Sequence, residues 1–368
     1  MNEARVNLLG LSREGLEEFF VGLGEKPFRA RQLMSWMYRF GIADFERMTD
    51  ISKALRGKLA AIAEIRTPEI RSLHNAADDT RKWMLSMDGG QAIETVFIPE
   101  PARGTLCISS QVGCAMDCDF CATGKQGFNR NLSAAEIVGQ VWLANRELGY
   151  RHDGDRIVTN VVFMGMGEPL ANYRNVVPAV QVLVDDFGFN ISRRRVTVST
   201  SGLVPQMDRL GEECNVALAV SLHAADDALR DALVPINRRH PIGELLDACW
   251  RYAERGAGRH ITFEYVMLDG VNDREEDMRR LARLLGHRPA KVNLIPFNPF
   301  PGTAYRRSPL EVIERGREFL LRKGIRTTIR RTRGDDIDAA CGQLAGQVND
   351  RVRSRLGSKL VSISARAS

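Results

Sequence analysis

The 368-residue sequence lacks any long hydrophobic run. Its longest stretch without a charged residue covers 14 residues, Val292 to Tyr305, and contains three prolines. A membrane-spanning helix needs about 20 apolar residues in succession, so we expect no membrane association. The amino terminus carries Glu3 and Arg5 and has no apolar signal region, which predicts a cytoplasmic protein.

The sequence also lacks a strong charge bias, internal repeats and low-complexity segments. Lys and Arg number 52 against 46 Asp and Glu, giving a net charge of +6. An excess of this size permits a polyanionic partner without requiring one. Apolar residues make up 44% and charged residues 27%, which is ordinary globular usage and excludes a wholly disordered chain, a collagen and a coiled-coil rod.

From residue 105 onwards, short apolar strands alternate with amphipathic helices. The predicted strands are Thr105–Ser109, Asn160–Met164, Arg195–Thr200, Val216–Leu222, Thr262–Met267 and Lys291–Ile295, with a further β-rich run at Ile325–Arg330. The predicted helices are Ser133–Leu148, Asn175–Asp186, Ile242–Glu254, Glu275–Leu285 and Leu310–Lys323. Repeated strand–helix units predict parallel strands, and six of them indicate an open or closed α/β barrel.

Two smaller regions precede this predicted barrel. Short helical patterns near the amino terminus predict a small helical domain. Arg81–Met87 and Gln91–Pro99 flank Asp88-Gly89-Gly90, which predicts a β-hairpin that links the helical domain to the barrel. The predicted limits are 1–66 for the helical domain, 67–99 for the hairpin linker, 100–340 for the barrel and 341–368 for a final C-terminal region.

Three of the seven cysteines are crowded into eight residues. Cys114, Cys118 and Cys121 form a C-x3-C-x2-C run directly after the first predicted strand. A structural zinc site uses two pairs of ligands, and ordinary iron–sulfur clusters use four cysteines; neither set is complete here. Three thiolates on a four-iron cluster would leave one iron open to an external ligand. The alternative of three inert buried thiols does not explain the crowding.

Further candidates follow later strands, where the sites of α/β barrels gather. Gly165-Met166-Gly167-Glu168-Pro169 ends the second strand. Gly167 permits a close backbone approach, and Glu168 offers an acceptor to an ammonium group. Ser199, Ser221, His223 and Asn298 follow at the ends of later strands, and strand capping is the alternative role of each serine.

The cysteine spacing, with Phe120 before the third cysteine, resembles that of the radical S-adenosylmethionine (SAM) enzymes. Residues 165–169 resemble the GGEP motif of that superfamily. Longer strings resemble its RlmN family of RNA adenine-C2 methyltransferases: Gly24–Arg29, Met48–Ile51, Glu94–Pro99, Ser109–Cys114, Gly127–Asn131, Ser221–Ala224, Val234–Asn237, Glu264–Met267 and Arg333–Gln343.

The resemblance implies a partial (β/α)6 barrel and two cofactors. One [4Fe-4S] cluster is expected on Cys114, Cys118 and Cys121, with one iron open to SAM. The residues implied to bind SAM are Gly167, Glu168, Ser199, Ser221, Leu222, His223 and Asn298.

The resemblance also implies a mechanism that uses two SAM molecules per methyl transferred. One SAM methylates Cys341, and the other yields a 5′-deoxyadenosyl radical that removes hydrogen from this methyl. The resulting carbon radical adds to adenine C2, and Glu94 accepts the C2 proton. Cys107 then attacks the sulfur of Cys341, which releases the methylated RNA and leaves a transient disulfide.

The expected substrates are one adenine of 23S rRNA at the peptidyl-transferase centre and the adenine 3′ of the anticodon in a subset of tRNAs. A flavodoxin-like one-electron donor and a thiol reductant are the other expected partners. The helical domain, with Lys26, Arg29, Arg31 and Arg39, resembles an RNA-binding domain, although it could equally be a packing cap. Candidate phosphate contacts are Arg193, Arg194, Arg195, Arg238, Arg239, Arg330, Arg331 and Arg333, with solvated surface arginines as the alternative.

Several alternatives remain open from the sequence. Cys107 and Cys341 could be inert buried thiols, and Glu94 could be a solvated acid at a strand end. A related adenine-C8 methyltransferase would share the cluster and both cysteines. A non-enzymatic iron–sulfur protein that binds RNA would leave Cys341 and the SAM motifs without a role.

Overall fold

The structure is a computed structural model that describes residues 5–87, 89–256, 260–340 and 342–348. Three parts of the sequence predictions therefore lie outside the described residues. They are the expected methyl carrier Cys341, Asp88 of the hairpin turn, and residues 349–368 of the predicted C-terminal region.

The amino-terminal region is helical, as predicted. Its elements are β1 (Val6–Asn7), α1 (Arg13–Gly22), α2 (Arg29–Met34), α3 (Lys53–Ile62) and β2 (Ala63–Glu64), with a π-helical turn over Ser35–Arg39 after α2. Ser12 caps α1 through its side-chain oxygen, which accepts from the Gly15 N–H and satisfies a donor of the first turn. Strand β1 pairs in parallel with β2, so the two ends of the region are joined.

One ten-stranded sheet forms the frame of the rest of the chain. Its strands are β3 (Glu69–Asn75), β4 (Arg81–Met87), β5 (Gln91–Glu100), β6 (Arg103–Cys107), β9 (Asn160–Phe163), β10 (Val196–Thr200), β11 (Ala217–Ser221), β12 (Ile261–Met267), β13 (Ala290–Pro296) and β14 (Arg326–Ile329). The order is β14-β13-β12-β11-β10-β9-β6-β5-β4-β3. A short hairpin, β7 (Gln111–Gly113) with β8 (Phe128–Asn131), follows β6.

Seven strands of this sheet, β6 and β9 to β14, are all parallel to one another. The helices that connect them are α4 (Ala122–Lys125), α5 (Ala134–Glu147), α6 (Tyr173–Val184), α7 (Val204–Glu213), α8 (Asp227–Leu233), α9 (Ile242–Arg255), α10 (Glu275–Leu285) and α11 (Leu310–Arg322). Six strand–helix units and an added last strand thus confirm the predicted partial barrel. Ser133 and Glu136 form a capping box at the start of α5.

The predicted hairpin is confirmed as β4 and β5, but it is continuous with the barrel sheet. Strand β5 pairs antiparallel with β6, and the unpredicted strand β3 pairs with β4 at the sheet edge. Most residues of β3 are exposed, so the strand has none of the alternating apolar pattern by which a half-buried strand is recognised. The hairpin region therefore extends the wall of the barrel.

The helical region packs on the outer face of the barrel. The Trp142 indole on α5 donates to the Met37 carbonyl at 2.8 Å, and the Tyr38 ring packs against Phe189. Arg13 on α1 forms an ion pair of 2.6 Å with Asp185 at the end of α6. Within the described residues, we find no helix with the length and apolar character needed to span a bilayer.

Candidate functional site

A cavity of about 160 Å³ lies at the carboxyl ends of the parallel strands. Every parallel strand or the turn after it contributes to this cavity, as expected for a barrel of this class. Nine predicted site residues line it: Cys114, Cys118, Cys121, Gly167, Glu168, Ser199, Ser221, His223 and Asn298. Residues that are up to 184 positions apart in the sequence are thus brought to one place.

The loop that carries the three cysteines begins at the β7–β8 hairpin. The Cys114 N–H donates to the Gly127 carbonyl at 2.8 Å, and the Cys121 N–H donates to the Cys118 carbonyl at 3.2 Å. Gly113 has a φ of +77°, and a Cβ there would lie 2.0 Å from the Gly127 oxygen. Only glycine fits this position, so the start of the loop is fixed by the backbone.

Burial disfavours the thiolate form of these cysteines. It raises the pKa of Cys114 to about 12, with smaller increases from Cys121 and Glu168. Burial, and then the neighbouring Cys114 and Cys121, also raise the pKa of Cys118 well above its usual value. A bound metal supplies the positive charge that reverses this preference.

The donor set fits an iron–sulfur cluster. Three thiols face one cavity, and thiolates are the usual ligands of such clusters, in which each binds a separate iron. Within the described ranges, no three His, Cys, Asp or Glu side chains are grouped as ligands of a single metal ion.

Glu168 is a buried acid held by the turns next to it. Its Oε1 accepts from the Leu170 N–H at 3.0 Å, and its Oε2 accepts from the Ser201 N–H at 2.7 Å and the Ser201 hydroxyl at 2.9 Å. The Gln111 side chain accepts from the Glu168 N–H at 2.8 Å. Burial raises the pKa of Glu168, and the bonds from Ser201 and Leu170 oppose that rise. A cation in the cavity would therefore meet a fixed carboxylate.

His223 is held in one neutral form. Its Nδ1 accepts from the Val266 N–H at 3.0 Å, so the ring proton is on Nε2. Burial, and then the nearby Arg230, lower the pKa of His223 to about 3. The ring packs edge-on against Phe120, with centroids 4.4 Å apart, and so presents a fixed, uncharged donor to the cavity.

The remaining predicted SAM residues differ in what they offer to the cavity. Ser199 lies near the end of β10 and Ser221 at the end of β11. The Asn298 side-chain oxygen accepts from Arg307 at 2.8 Å, which orients its amide. Leu222 is fully buried and does not line the cavity. Its N–H donates to the Glu264 carbonyl, and its carbonyl accepts from Arg230.

Glu94 lies in the middle of β5 and is only 3% exposed. Its Oε1 forms an ion pair of 3.0 Å with Lys82, and its Oε2 accepts from the Ala345 N–H at 2.9 Å. The alternative of a solvated acid at a strand end is therefore wrong. The position was misjudged because the C-terminal part of the chain covers Glu94, and this contact across 251 residues has no local sequence signal.

Cys107 and Glu94 are placed on the same face of the sheet. Thr95 bonds to Gln140 on α5, so Glu94 and Val96 face the other side, toward the barrel interior. Cys107 is directly opposite Val96 in the β5–β6 pair, which puts its side chain on that interior face. Cys107 is buried, and it does not line the cavity itself.

Residues directly after position 341 contact the site. The Ala122 N–H, next to Cys121, donates to the Gly342 carbonyl at 2.9 Å. The Thr123 hydroxyl donates to the Leu344 carbonyl at 2.7 Å. Gly342 and Leu344 also line the cavity. We call residues 333–340 and 342–348 the C-terminal segment.

Comparisons with known proteins agree with this geometry. Residues 6–65 match the ribosomal RNA large subunit methyltransferase N-terminal domain, and residues 108–282 match the radical SAM superfamily. A crystal structure of a radical SAM methyltransferase from Sphaerobacter thermophilus is 46% identical with a TM-score of 0.84, covering 92% of this chain and 99% of that chain. This chain belongs to the RlmN-type radical SAM methyltransferases. Its superfamily implies a [4Fe-4S] cluster and SAM as cofactors.

A more remote structure is similar over part of the chain. A domain of a pyruvate-formate lyase-activating enzyme from Bacteroides vulgatus is 21% identical with a TM-score of 0.38, covering 47% of this chain and 99% of that chain.

The site of this RlmN-type chain contains two charged residues that the sequence did not reveal. Arg230 on α8 is fully buried and donates to the carbonyls of Ser201, Ser221 and Leu222 at 2.7–3.1 Å. Glu264 lines the cavity, accepts from Asn293 at 2.9 Å, and its buried Oε2 accepts no hydrogen bond from the described residues. Glu264 belongs to Glu264–Met267, one of the sequence strings that resemble the family. Its place at the cavity was missed because tertiary packing determines its burial.

The candidate RNA-binding arginines occupy opposite ends of the barrel. Arg193, Arg194 and Arg195 directly precede β10, so they lie at the amino ends of the strands. Arg330 follows β14 and lines the cavity, and Arg331 beside it is exposed. The second group therefore lies next to the cavity, and the first group lies at the opposite end of the strands.

Proposed function

We propose that this protein methylates C2 of an adenine in RNA with Cys341 as the methyl carrier. The substrates are the adenine of the peptidyl-transferase centre of 23S rRNA and the adenine 3′ of the anticodon in a subset of tRNAs. One observation supports this proposal most strongly: the chain directly after position 341 is bonded both to the cluster loop and to Glu94. A carrier cysteine has to meet both the radical source and the base.

Two groups of residues would hold the cofactors. Cys114, Cys118 and Cys121 would bind the [4Fe-4S] cluster, and the residues implied to bind SAM are Gly167, Glu168, Ser199, Ser221, Leu222, His223 and Asn298. With an electron from a flavodoxin-like donor, these cofactors supply a 5′-deoxyadenosyl radical from one SAM and a methyl group from a second. Glu168 would accept the SAM ammonium group, and the fixed His223 ring would donate through Nε2.

The protein side chains carry the methyl group and the proton. The Cys341 thiolate attacks the methyl carbon of SAM, because sulfur is a good nucleophile toward such a carbon. The bond from this carbon to the sulfonium sulfur breaks, and S-adenosylhomocysteine leaves. After the carrier carbon has bonded to adenine C2, the buried Glu94 carboxylate takes the C2 proton. Cys107 attacks the sulfur of Cys341, so a sulfur–sulfur bond forms as the carbon–sulfur bond breaks, and the released carbon takes up a proton to become the methyl group. The electron that radical addition leaves unpaired on the base would return to the cluster. A thiol reductant then restores both cysteines, as a cytoplasmic location would allow.

The decisive experiment is a methylation assay with nucleoside mass spectrometry. Cluster-loaded protein is incubated with SAM, a one-electron reductant and either 23S rRNA fragments or tRNA, and the RNA is digested to nucleosides. We expect 2-methyladenosine in both RNAs and 5′-deoxyadenosine in solution. Formation of 8-methyladenosine would show the C8 enzyme instead, and a complete lack of 5′-deoxyadenosine would indicate a non-enzymatic RNA-binding protein.

A further inference from the structure

A buried ion pair holds the chain on both sides of the carrier position. Lys82 is 7% exposed and Glu94 is 3% exposed, and their charged atoms are 3.0 Å apart. The pair bridges β4 and β5 on the interior face of the sheet. Removing two charges from water is unfavourable unless each charge gains further partners. The further partners of Lys82 and Glu94 therefore show which part of the chain the pair holds.

Each member of the pair has a second partner in the C-terminal segment. The Lys82 ammonium group donates to the Asp338 carbonyl at 3.2 Å, and the Ala345 N–H donates to the Glu94 carboxylate at 2.9 Å. Asp338 is three residues before position 341, and Ala345 is four residues after it. The two charges therefore fix the chain on each side of this position.

The other contacts of the segment do not depend on the charge of Glu94. Asp336 accepts from the Ala77 N–H at 3.0 Å, and Arg333 pairs with Asp78 at 3.4 Å. On the other side, the Gly342, Leu344 and Gly346 carbonyls accept from α4 and Gln126 at 2.7–2.9 Å. The first two bonds hold the start of the segment, and the bonds to α4 and Gln126 hold residues 342–346. The Lys82–Glu94 pair adds the bonds to Asp338 and Ala345, and only these respond to the charge of Glu94.

We propose that Lys82 is a positioning residue that, together with Glu94, clamps the C-terminal segment, and that uptake of the substrate proton by Glu94 opens this clamp. The proposal rests on the proposed role of Glu94 as proton acceptor. The C2–H bond of adenine breaks, its electron pair stays on the base, and the proton binds a Glu94 oxygen. The neutral acid no longer attracts Lys82, and its bond from the Ala345 N–H loses the strength that charge gives.

The opening would occur at the step that needs movement. Cys107 lies opposite Val96, two positions along β5 from Glu94. Before proton transfer, the clamp holds the segment for radical addition. After proton transfer, the loosened segment can bring residue 341 to Cys107. Proton transfer and resolution of the adduct are thereby ordered by one pair of side chains.

Hydrogen–deuterium exchange of residues 342–348 in the full-length protein tests the clamp without any catalysis. Glu94→Gln keeps the size of the acid but removes its charge, and Lys82→Met keeps the length of the lysine stem. We expect about tenfold faster exchange of the Ala345 amide in both, as for the loss of one charge-assisted hydrogen bond. Lys82→Arg should restore slow exchange. Arg103→Met, which breaks an exposed ion pair with Glu100 on the same sheet, should leave exchange unchanged.

Two results separate failure of the clamp from failure of the proposed function. Unchanged exchange in folded Glu94→Gln and Lys82→Met would overturn the clamp, whichever reaction the enzyme performs. Full RNA methylation by Lys82→Met would also overturn it, while leaving the methyltransferase proposal intact. For the clamp to hold, Lys82→Met must retain SAM cleavage within about twofold of wild type and lose RNA methylation, and Lys82→Arg must recover both readouts.

Discussion

Two buried carboxylates, Glu168 and Glu94, are held in very different ways. The bonds of Glu168 come from its own turn, from Ser201 33 residues away and from Gln111 57 residues away, all within the barrel. Glu94 depends on Ala345, which is 251 residues away. We call the cavity wall with Glu168, Ser199, Ser221 and His223 the SAM side, after its proposed ligand, and the strand-turn-helix connections build it. We call Lys82, Glu94, Cys107 and the C-terminal segment the transfer side. It forms only when the C-terminal segment docks on the hairpin strands.

The largest effect is expected from Cys341→Ala, which should abolish the function of the transfer side and leave the SAM side intact. We expect RNA methylation to be abolished, because no other thiol carrier is attached to the docked segment. Cluster content and some SAM cleavage should persist, because the SAM side does not depend on residue 341. Iron and sulfide analysis, a 5′-deoxyadenosine assay and RNA nucleoside mass spectrometry measure the three outcomes. Methylated RNA from this variant would disprove the carrier role.

Alanine substitution of the cluster cysteines should abolish the function of the SAM side. Cys114→Ala, Cys118→Ala and Cys121→Ala should each lose the cluster and with it all SAM cleavage. Cys214→Ala and Cys249→Ala are matched controls, because both are buried thiols outside the cavity. A folded Cys214→Ala or Cys249→Ala protein that lacks the cluster would contradict the assignment. Iron and sulfide quantification after reconstitution provides the measurement.

The stability of the fold around the SAM side should depend strongly on Arg230. Arg230→Met leaves three buried carbonyls and the Asn237 side-chain oxygen without this donor. We expect a loss of at least about 3 kcal/mol in the free energy of unfolding, since each unsatisfied buried polar group costs about 1–3 kcal/mol. Arg279→Met, on the exposed surface of α10, should change it by less than about 0.5 kcal/mol. Urea unfolding of both variants tests this, and equal stability would refute the bracing role.

A smaller effect is expected from His223 in the pH dependence of stability. Its pKa is about 3 in the folded chain and about 6.5 in the unfolded chain, so between these values only the unfolded chain binds the proton. Above pH 6.5 the ring is neutral in both states. As the pH falls below 6.5, the free energy of unfolding decreases by roughly 1.4 kcal/mol per pH unit, because the unfolded chain alone gains the proton. His223→Gln should flatten this slope in urea titrations from pH 7 to 5. The exposed His74→Gln is the control, and an unchanged slope in His223→Gln would count against a buried neutral ring.

The sequence predicted well which residues meet at the cavity, since nine of the predicted site residues line it. The spacing of Cys114, Cys118 and Cys121 and the alternation of strands and helices are local patterns, and parallel strands bring their carboxyl ends together. Helices α7 and α8 were missed because one begins at a proline-containing turn and the other covers only seven residues.

The transfer side could not be predicted in the same way. Lys82 and Glu94 look like polar residues on a hairpin, and their pairing with Asp338 and Ala345 depends on contacts across more than 250 residues. Arg230 is an ordinary helix residue until the folded chain buries it. Long-range burial of charge leaves no periodic signal in a single sequence.

The central claim, that Cys341 carries the methyl and Cys107 resolves the adduct, is tested most directly by Cys107→Ala. This variant keeps the cluster, SAM and the carrier, so only release of the RNA should fail. Purified from growing cells and analysed by denaturing electrophoresis, it should carry covalently attached RNA that nuclease removes, with the residual nucleotide mapped to Cys341 by mass spectrometry. A folded, cluster-loaded Cys107→Ala protein that methylates RNA normally, or that never forms an RNA adduct, would contradict the account.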